Sequence, residues 1–330
     1  MKSPRAITRI LLVFTVLAAG FLDYWSYSAQ LYKDPGTYAS VLQGTAAAPE
    51  QYRIGVIRTA YFLAQHAHMQ PRHAFALLDV IAGLVAGFVL LGLLERSAAY
   101  RASTNMLRWL ASAAFLFLVA YYLAWLTWYQ RPETLTNTML IALTLLLLTK
   151  RTSNSAQYAL IVIGMLALTA AQSLVRADVG FCLHAGIFLF CFFPAARGLS
   201  LPRGMQAALS GVCVLLAGGV QFVLMHKIYP HASYGATPVV QLKLNMLQPL
   251  RIFPFVVFIA PWAYTFYETI RRKYTADAAS VGLLVGSVVF LSLWSVLGKI
   301  DEVRIFLPFA FALIPFSVQI AMLDVQETAS

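Results

Sequence analysis

The chain has 330 residues, 60% of them hydrophobic and only 11% charged, with a formal net charge of +11. A soluble domain carries roughly 25% charged residues; here the difference is made up by apolar runs of about 20 residues, the length that crosses a bilayer. Composition therefore excludes a soluble globular domain, and because the basic residues sit in short segments without interleaved aromatics, it also excludes a nucleic-acid partner.

Lys2, Arg5 and Arg9 precede the first apolar run, Ile10 to Phe21. The run continues through Leu22, Tyr24 and Trp25 with no small-residue cleavage site, so it reads as an uncleaved span over 7–27. Further spans are predicted over 74–94, 108–128, 134–149, 156–174, 179–195, 205–226, 252–270, 279–298 and 305–323. The expected fold is an all-α integral membrane protein with about ten transmembrane helices, because a helix satisfies its own backbone hydrogen bonds in lipid. Residues 1–330 form a single polytopic domain. Cys182, Cys191 and Cys213 all lie within apolar runs and read as packing residues rather than a disulfide framework.

Lys and Arg set the orientation. With the N-terminus inside, the inner segments hold Arg96, Arg101 and Arg108, then Lys150 and Arg151, Arg197 and Arg203, and Arg271 to Lys273. Both termini are expected to be cytoplasmic, in a multi-pass protein of the plasma (bacterial inner) membrane. The outer segments instead alternate bases with acids. Arg131 precedes Glu133, Arg176 precedes Asp178, and Arg304 follows Asp301 and Glu302. All six histidines fall on the outer side or in the outer part of a span. His66, His68 and His73 lack a neighbouring carboxylate and the spacing of a ligand set, so no metal site is expected.

Two ionisable residues lie inside spans. At 1.5 Å rise per residue, Asp79 sits roughly 9 Å below His73, and His184 roughly 9 Å below Asp178. Equal depth suggests an intramembrane Asp79–His184 pair, either functional or simply locking two helices together.

The longest outer segment, 28–72, opens with Asp34-Pro35-Gly36-Thr37-Tyr38, a turn that places Asp34 at the membrane surface. Ile54, Ile57, Tyr61 and Leu63 then recur at helical spacing beside Arg53 and Arg58, as in a helix lying on the surface. Guanidinium groups there suit a phosphate, either of a substrate or of a lipid headgroup. The outer loop 227–251 is placed to cover whatever lies between these segments.

This pattern resembles the GT-C superfamily of polytopic membrane glycosyltransferases. The resemblance rests on the multi-span body, the acid after the first span (Asp34), the interfacial helix from Tyr52 to Met69, and Glu302-Val-Arg-Ile-Phe-Leu-Pro308. It implies sugar transfer from a polyprenyl-phosphate donor to an acceptor at the outer face, without a cofactor. Asp34 is then the catalytic base, and the substrate-binding set is Arg53, Arg58, Arg131, Glu133, Arg176, Asp178, Glu302 and Arg304. Many members carry two adjacent acids in this loop, whereas Asp34 stands alone. A membrane transporter, or another envelope polysaccharide polymerase or flippase-like protein, fits the same outer-face charges.

Overall fold

A computed structural model describes residues 4–126, 131–150, 152, 154–193, 199–232, 238–247, 249–272, 277–300 and 302–329. Among these residues the chain is helical and contains no strand. Six helices are long and apolar enough to cross a membrane.

In chain order the helices are α1 (Arg5–Lys33), α2 (Ala39–Gln43), α3 (Ile54–His66), α4 (Pro71–Arg96), α5 (Ala98–Ala102), α6 (Asn105–Ala124) and α7 (Glu133–Thr149). There follow α8 (Ser155–Phe190), α9 (Arg203–Val223), α10 (Pro238–Leu247), α11 (Pro249–Arg271), α12 (Ala278–Leu297), α13 (Leu307–Ala312) and α14 (Ile314–Ala329).

The expected fifth and sixth spans are continuous in backbone hydrogen bonding as α8, but Arg176 breaks the helix with φ −159° and ψ 96°. The chain reverses there. Thr169 Oγ1 lies 2.8 Å from His184 Nε2, although these positions would stand about 22 Å apart along an unbroken helix. Residues 155–175 and 177–190 are thus two arms of a hairpin with Arg176 at its tip. The expected last span is also subdivided. A 3-10 turn over Val303–Ile305 leads into α13 and then α14, where Pro315 offers no N–H to continue the ladder of α13.

The core is built from α4, α7, α8, α12 and α13. Phe306 to Ile320 are buried almost without interruption, and Phe290 packs against both Phe306 and Phe309. The flanks of α1, α6 and α9 expose Phe14, Phe21, Phe117 and Leu215, the apolar outer face expected of helices bathed in lipid.

One end of the bundle gathers both termini. Arg9 pairs with Glu95 at 3.0 Å, Gln326 donates to Ser103 at 2.9 Å, and Arg271 pairs with Asp324 at 2.8 Å. The hairpin tip, the start of α7 and the end of α12 lie at the opposite end. There α3 packs on protein, with Ile54, Ile57 and Ala60 buried and Gly55 against the backbone of Leu174 at the hairpin.

Candidate functional site

Four separate segments meet at that second end around a cavity of about 660 Å³. The 49–53 stretch before α3 brings Glu50 and Arg53, and the start of α7 brings Glu133, preceded by Arg131. The tip of the α8 hairpin contributes Arg176 and Asp178, and the α12–α13 connection contributes Lys299, Glu302 and Arg304. Phe181, Ala217, Met225, Leu293 and Leu297 make one wall apolar.

The charges pair across the segments as well as within them. Arg53 bonds Glu133 at 2.7 Å and Arg131 reaches Glu50 at 3.2 Å. Arg304 holds Glu302 at 2.9 Å. Arg176 grips Asp178 in a fork, with Nε to Oδ1 at 3.2 Å and a terminal nitrogen to Oδ2 at 2.6 Å. The cation of that fork is shut in, while the Asp178 side chain is 24% exposed at the cavity: Arg176 is 3% exposed, lies 5.5 and 5.4 Å from the Phe290 and Trp294 ring centres, and donates to the Ile305 carbonyl at 3.4 Å. Trp294 Nε1 donates to Asp178 Oδ2 at 2.7 Å. The Arg176–Asp178 pair is therefore a fixed strut, and its cation cannot leave without stranding a carboxylate.

The remaining groups are more available. Lys299 faces the cavity and, among the described residues, has no carboxylate partner. The Glu50 side chain is 38% exposed and Glu302 36%. Burial holds the Arg304 guanidinium below its usual range; Glu302 opposes that shift and Arg131 adds to it. With five cations, Arg53, Arg131, Arg176, Lys299 and Arg304, facing four carboxylates, Glu50, Glu133, Asp178 and Glu302, the described lining carries a net charge of one positive unit. It suits an anion with an apolar attachment.

Seven of the eight residues expected to bind substrate line this cavity: Arg53, Arg131, Glu133, Arg176, Asp178, Glu302 and Arg304. Arg58 does not. It lies on the exposed side of α3 and donates to the Tyr229 hydroxyl at 2.9 Å. Asp34 is not part of the lining either. It caps the end of α1, and its Oδ1 accepts from the Gly36 N–H at 2.9 Å, so one carboxylate oxygen is tied to the Pro-Gly turn. Of the loop expected to cover the site, residues 233–237 and 248 lie outside the described residues, as do Tyr129, Gln130 and Asp301. What is described ties down the rim: Tyr52 donates to the Ala232 carbonyl at 2.7 Å, and Asn245 caps α12 through the Gly298 carbonyl at 2.7 Å.

The expected Asp79–His184 pair is corrected. Asp79 Oδ2 accepts from the Tyr27 hydroxyl at 2.6 Å, on the α1 side of α4. His184 is turned into the hairpin seam toward Thr169. The two face different neighbours. Tyr27→Phe should therefore destabilise the fold by about 1–3 kcal/mol by removing a donor from a buried carboxyl. Thermal unfolding in detergent checks this, and an unchanged midpoint would show that the contact contributes nothing.

Glu50, Lys299 and Trp294 belong to the site and were not singled out as site residues by sequence reasoning. Glu50 and Lys299 carried a usable signal, since both occur in outer segments rich in paired charge. Trp294 carried none, because nothing local links it to Asp178. Comparison of the chain with protein-family models, curated proteins and solved structures returns no match.

Proposed function

We propose that the chain is a membrane glycosyltransferase-like protein that moves a sugar from a polyprenyl-phosphate donor to an acceptor at the outer face of the plasma membrane. In this reading α1, α4, α6, α7, the two arms of α8, α9, α11, α12 and α13–α14 make ten crossings. Both termini are cytoplasmic and the cavity opens outward. The supporting observation is the convergence of arginines and carboxylates from four segments, with Lys299, on one cavity that also has an apolar wall.

Each feature has a task. Lys299 and Arg304 hold the donor phosphate and stabilise the charge that grows on it as the sugar–phosphate bond breaks. The apolar wall takes the first units of the prenyl chain. A carboxylate orients or deprotonates the acceptor hydroxyl. Asp34 lies outside the cavity lining, so this role passes to Glu50, which belongs to the same first outer segment and faces the cavity.

The test uses purified full-length protein and a long-chain polyprenyl phosphate. Lys299→Gln and Arg304→Gln are each expected to weaken binding about ten-fold, the loss of one charge-assisted hydrogen bond. With a polyprenyl-phosphate sugar, Glu50→Gln should abolish release of the sugar while Asp34→Asn retains it. Equal binding of polyprenyl phosphate and the uncharged prenol would sink the reading.

A second reading, a transporter, draws on a different observation. Asp23 and Asp79 are both buried within α1 and α4, and intramembrane carboxyls commonly mark ion pathways. Proton or cation flux in liposomes that is lost in Asp23→Asn would favour it.

A further inference from the structure

A second cavity, of about 360 Å³, lies on the flank of the bundle and shares no lining residue with the charged site. The end of α1 forms one side, with Ser28, Leu31 and Tyr32. Tyr61, Gln70 and Arg72 form the other.

Arg72 is the only charged residue in this lining. Its Nε is buried without a hydrogen-bond partner. The guanidinium lies 5.5 Å from the Tyr24 ring centre, and the opposing ring of His73 stacks on Tyr24 at 5.3 Å, so the group is held in place rather than free to swing. The same corner is the start of α4, a 26-residue helix with no acid in its first turn and no side-chain cap from Gln70. Pro71 has no N–H and the His73 and Ala74 N–H groups donate to the Gln70 carbonyl, so the cation of this corner is the Arg72 guanidinium, with Ser28, Tyr61 and Gln70 as the polar residues lining the cavity beside it. Together these form a compact anion-binding corner.

The surroundings specify the anion. Tyr32, at the cavity, is 90% exposed, and on the same helix Trp25 and Phe21, whose rings pack edge to face, are each 61% exposed. Such a belt marks the depth of lipid headgroups. Further along the same helices, Leu22 on α1 and Leu77 and Ile81 on α4 are exposed apolar side chains that acyl chains would cover. We infer that this cavity binds the phosphate of an anionic membrane lipid. Arg72 holds the phosphate, and the acyl chains run down the α1–α4 flank. A free phosphate ion offers the same headgroup chemistry but leaves that apolar flank unused.

Native mass spectrometry of the full-length protein tests this, with phosphatidylglycerol and phosphatidylcholine supplied together in mixed micelles. The wild type should retain phosphatidylglycerol preferentially. Arg72→Gln should lower the retained fraction about five-fold, the effect of one basic residue near an anionic surface. Gln70→Glu, which places a negative charge at the helix start, should do the same and covers the case in which Arg72→Gln does not fold. Inorganic phosphate should not displace the lipid. Equal retention by folded Arg72→Gln, equal binding of the two lipids, or displacement by inorganic phosphate would each overturn the inference.

Discussion

Arg176→Leu is expected to destabilise the protein by about 3–5 kcal/mol, the cost of removing one partner from a buried ion pair. The substitution deletes the fork to Asp178, the bond to the Ile305 carbonyl and the stacking on Phe290 and Trp294. It leaves Asp178 with the Trp294 N–H and the more distant charge of Arg53. Leucine fills part of the volume but supplies no donor. Lysine does little better, because a single ammonium cannot make a planar fork and stack between two rings. Asp178→Asn should also be costly, because it leaves the buried Arg176 guanidinium facing an amide oxygen in place of a carboxylate. The double variant Arg176→Leu/Asp178→Asn should be more stable than Arg176→Leu, because no carboxylate is then stranded. A double-mutant cycle on thermal unfolding in detergent measures that coupling. If Arg176→Leu unfolds within about 0.5 kcal/mol of the wild type, the hairpin tip is not the strut its geometry indicates.

That strut also shows how far the sequence was legible. Apolar runs mark the six helices long enough to cross a membrane, and Val175-Arg176-Ala177-Asp178, read as a turn, coincides with the helix break at Arg176. The Arg–carboxylate motifs are visible because successive helices that cross a bilayer bring alternate loops to the same end, and the structure gathers these segments at one end of the bundle. Sequence spacing cannot give the azimuth of a helix about its own axis. Asp79 and His184 read at equal depth, yet Asp79 faces α1 and His184 faces the hairpin seam. Asp34 shows a different limit. Asp-Pro-Gly announces a turn, and a tight turn ties one oxygen of the short carboxylate to its own backbone, here to the Gly36 N–H. Glu50, sixteen positions later, has a longer side chain and no such local claim on it. Trp294 stands 116 residues from Asp178. No helical or strand period relates positions so far apart, and only the packing of α12 on the hairpin brings them together.

The same packing carries a second large effect. Gly186 on the inner arm of the hairpin meets Gly286 on α12 so closely that a methyl group on Gly186 would overlap the Gly286 backbone. In the reverse direction, a Cβ on Gly286 would lie 2.9 Å from the Cys182 carbonyl oxygen. Neither obstacle is the flexible end of a side chain, so relief requires the helices to move apart. In lipid, where no hydrophobic force drives helices together, this close backbone approach is itself the main source of attraction. Gly186→Ala and Gly286→Ala are each expected to cost about 3 kcal/mol or more, at or beyond the upper end of overpacking penalties. Separation of α12 from the hairpin would also carry Trp294 away from Asp178 and so disturb the lining of the cavity. Gly219 in α9 is the control. A Cβ there meets nothing within 4 Å, and alanine should be neutral or stabilising by up to about 1 kcal/mol through helix propensity alone. Thermal unfolding of the three variants separates crowding from any general intolerance of glycine replacement. If Gly186→Ala and Gly219→Ala unfold together, the α8–α12 crossing is looser than this contact implies.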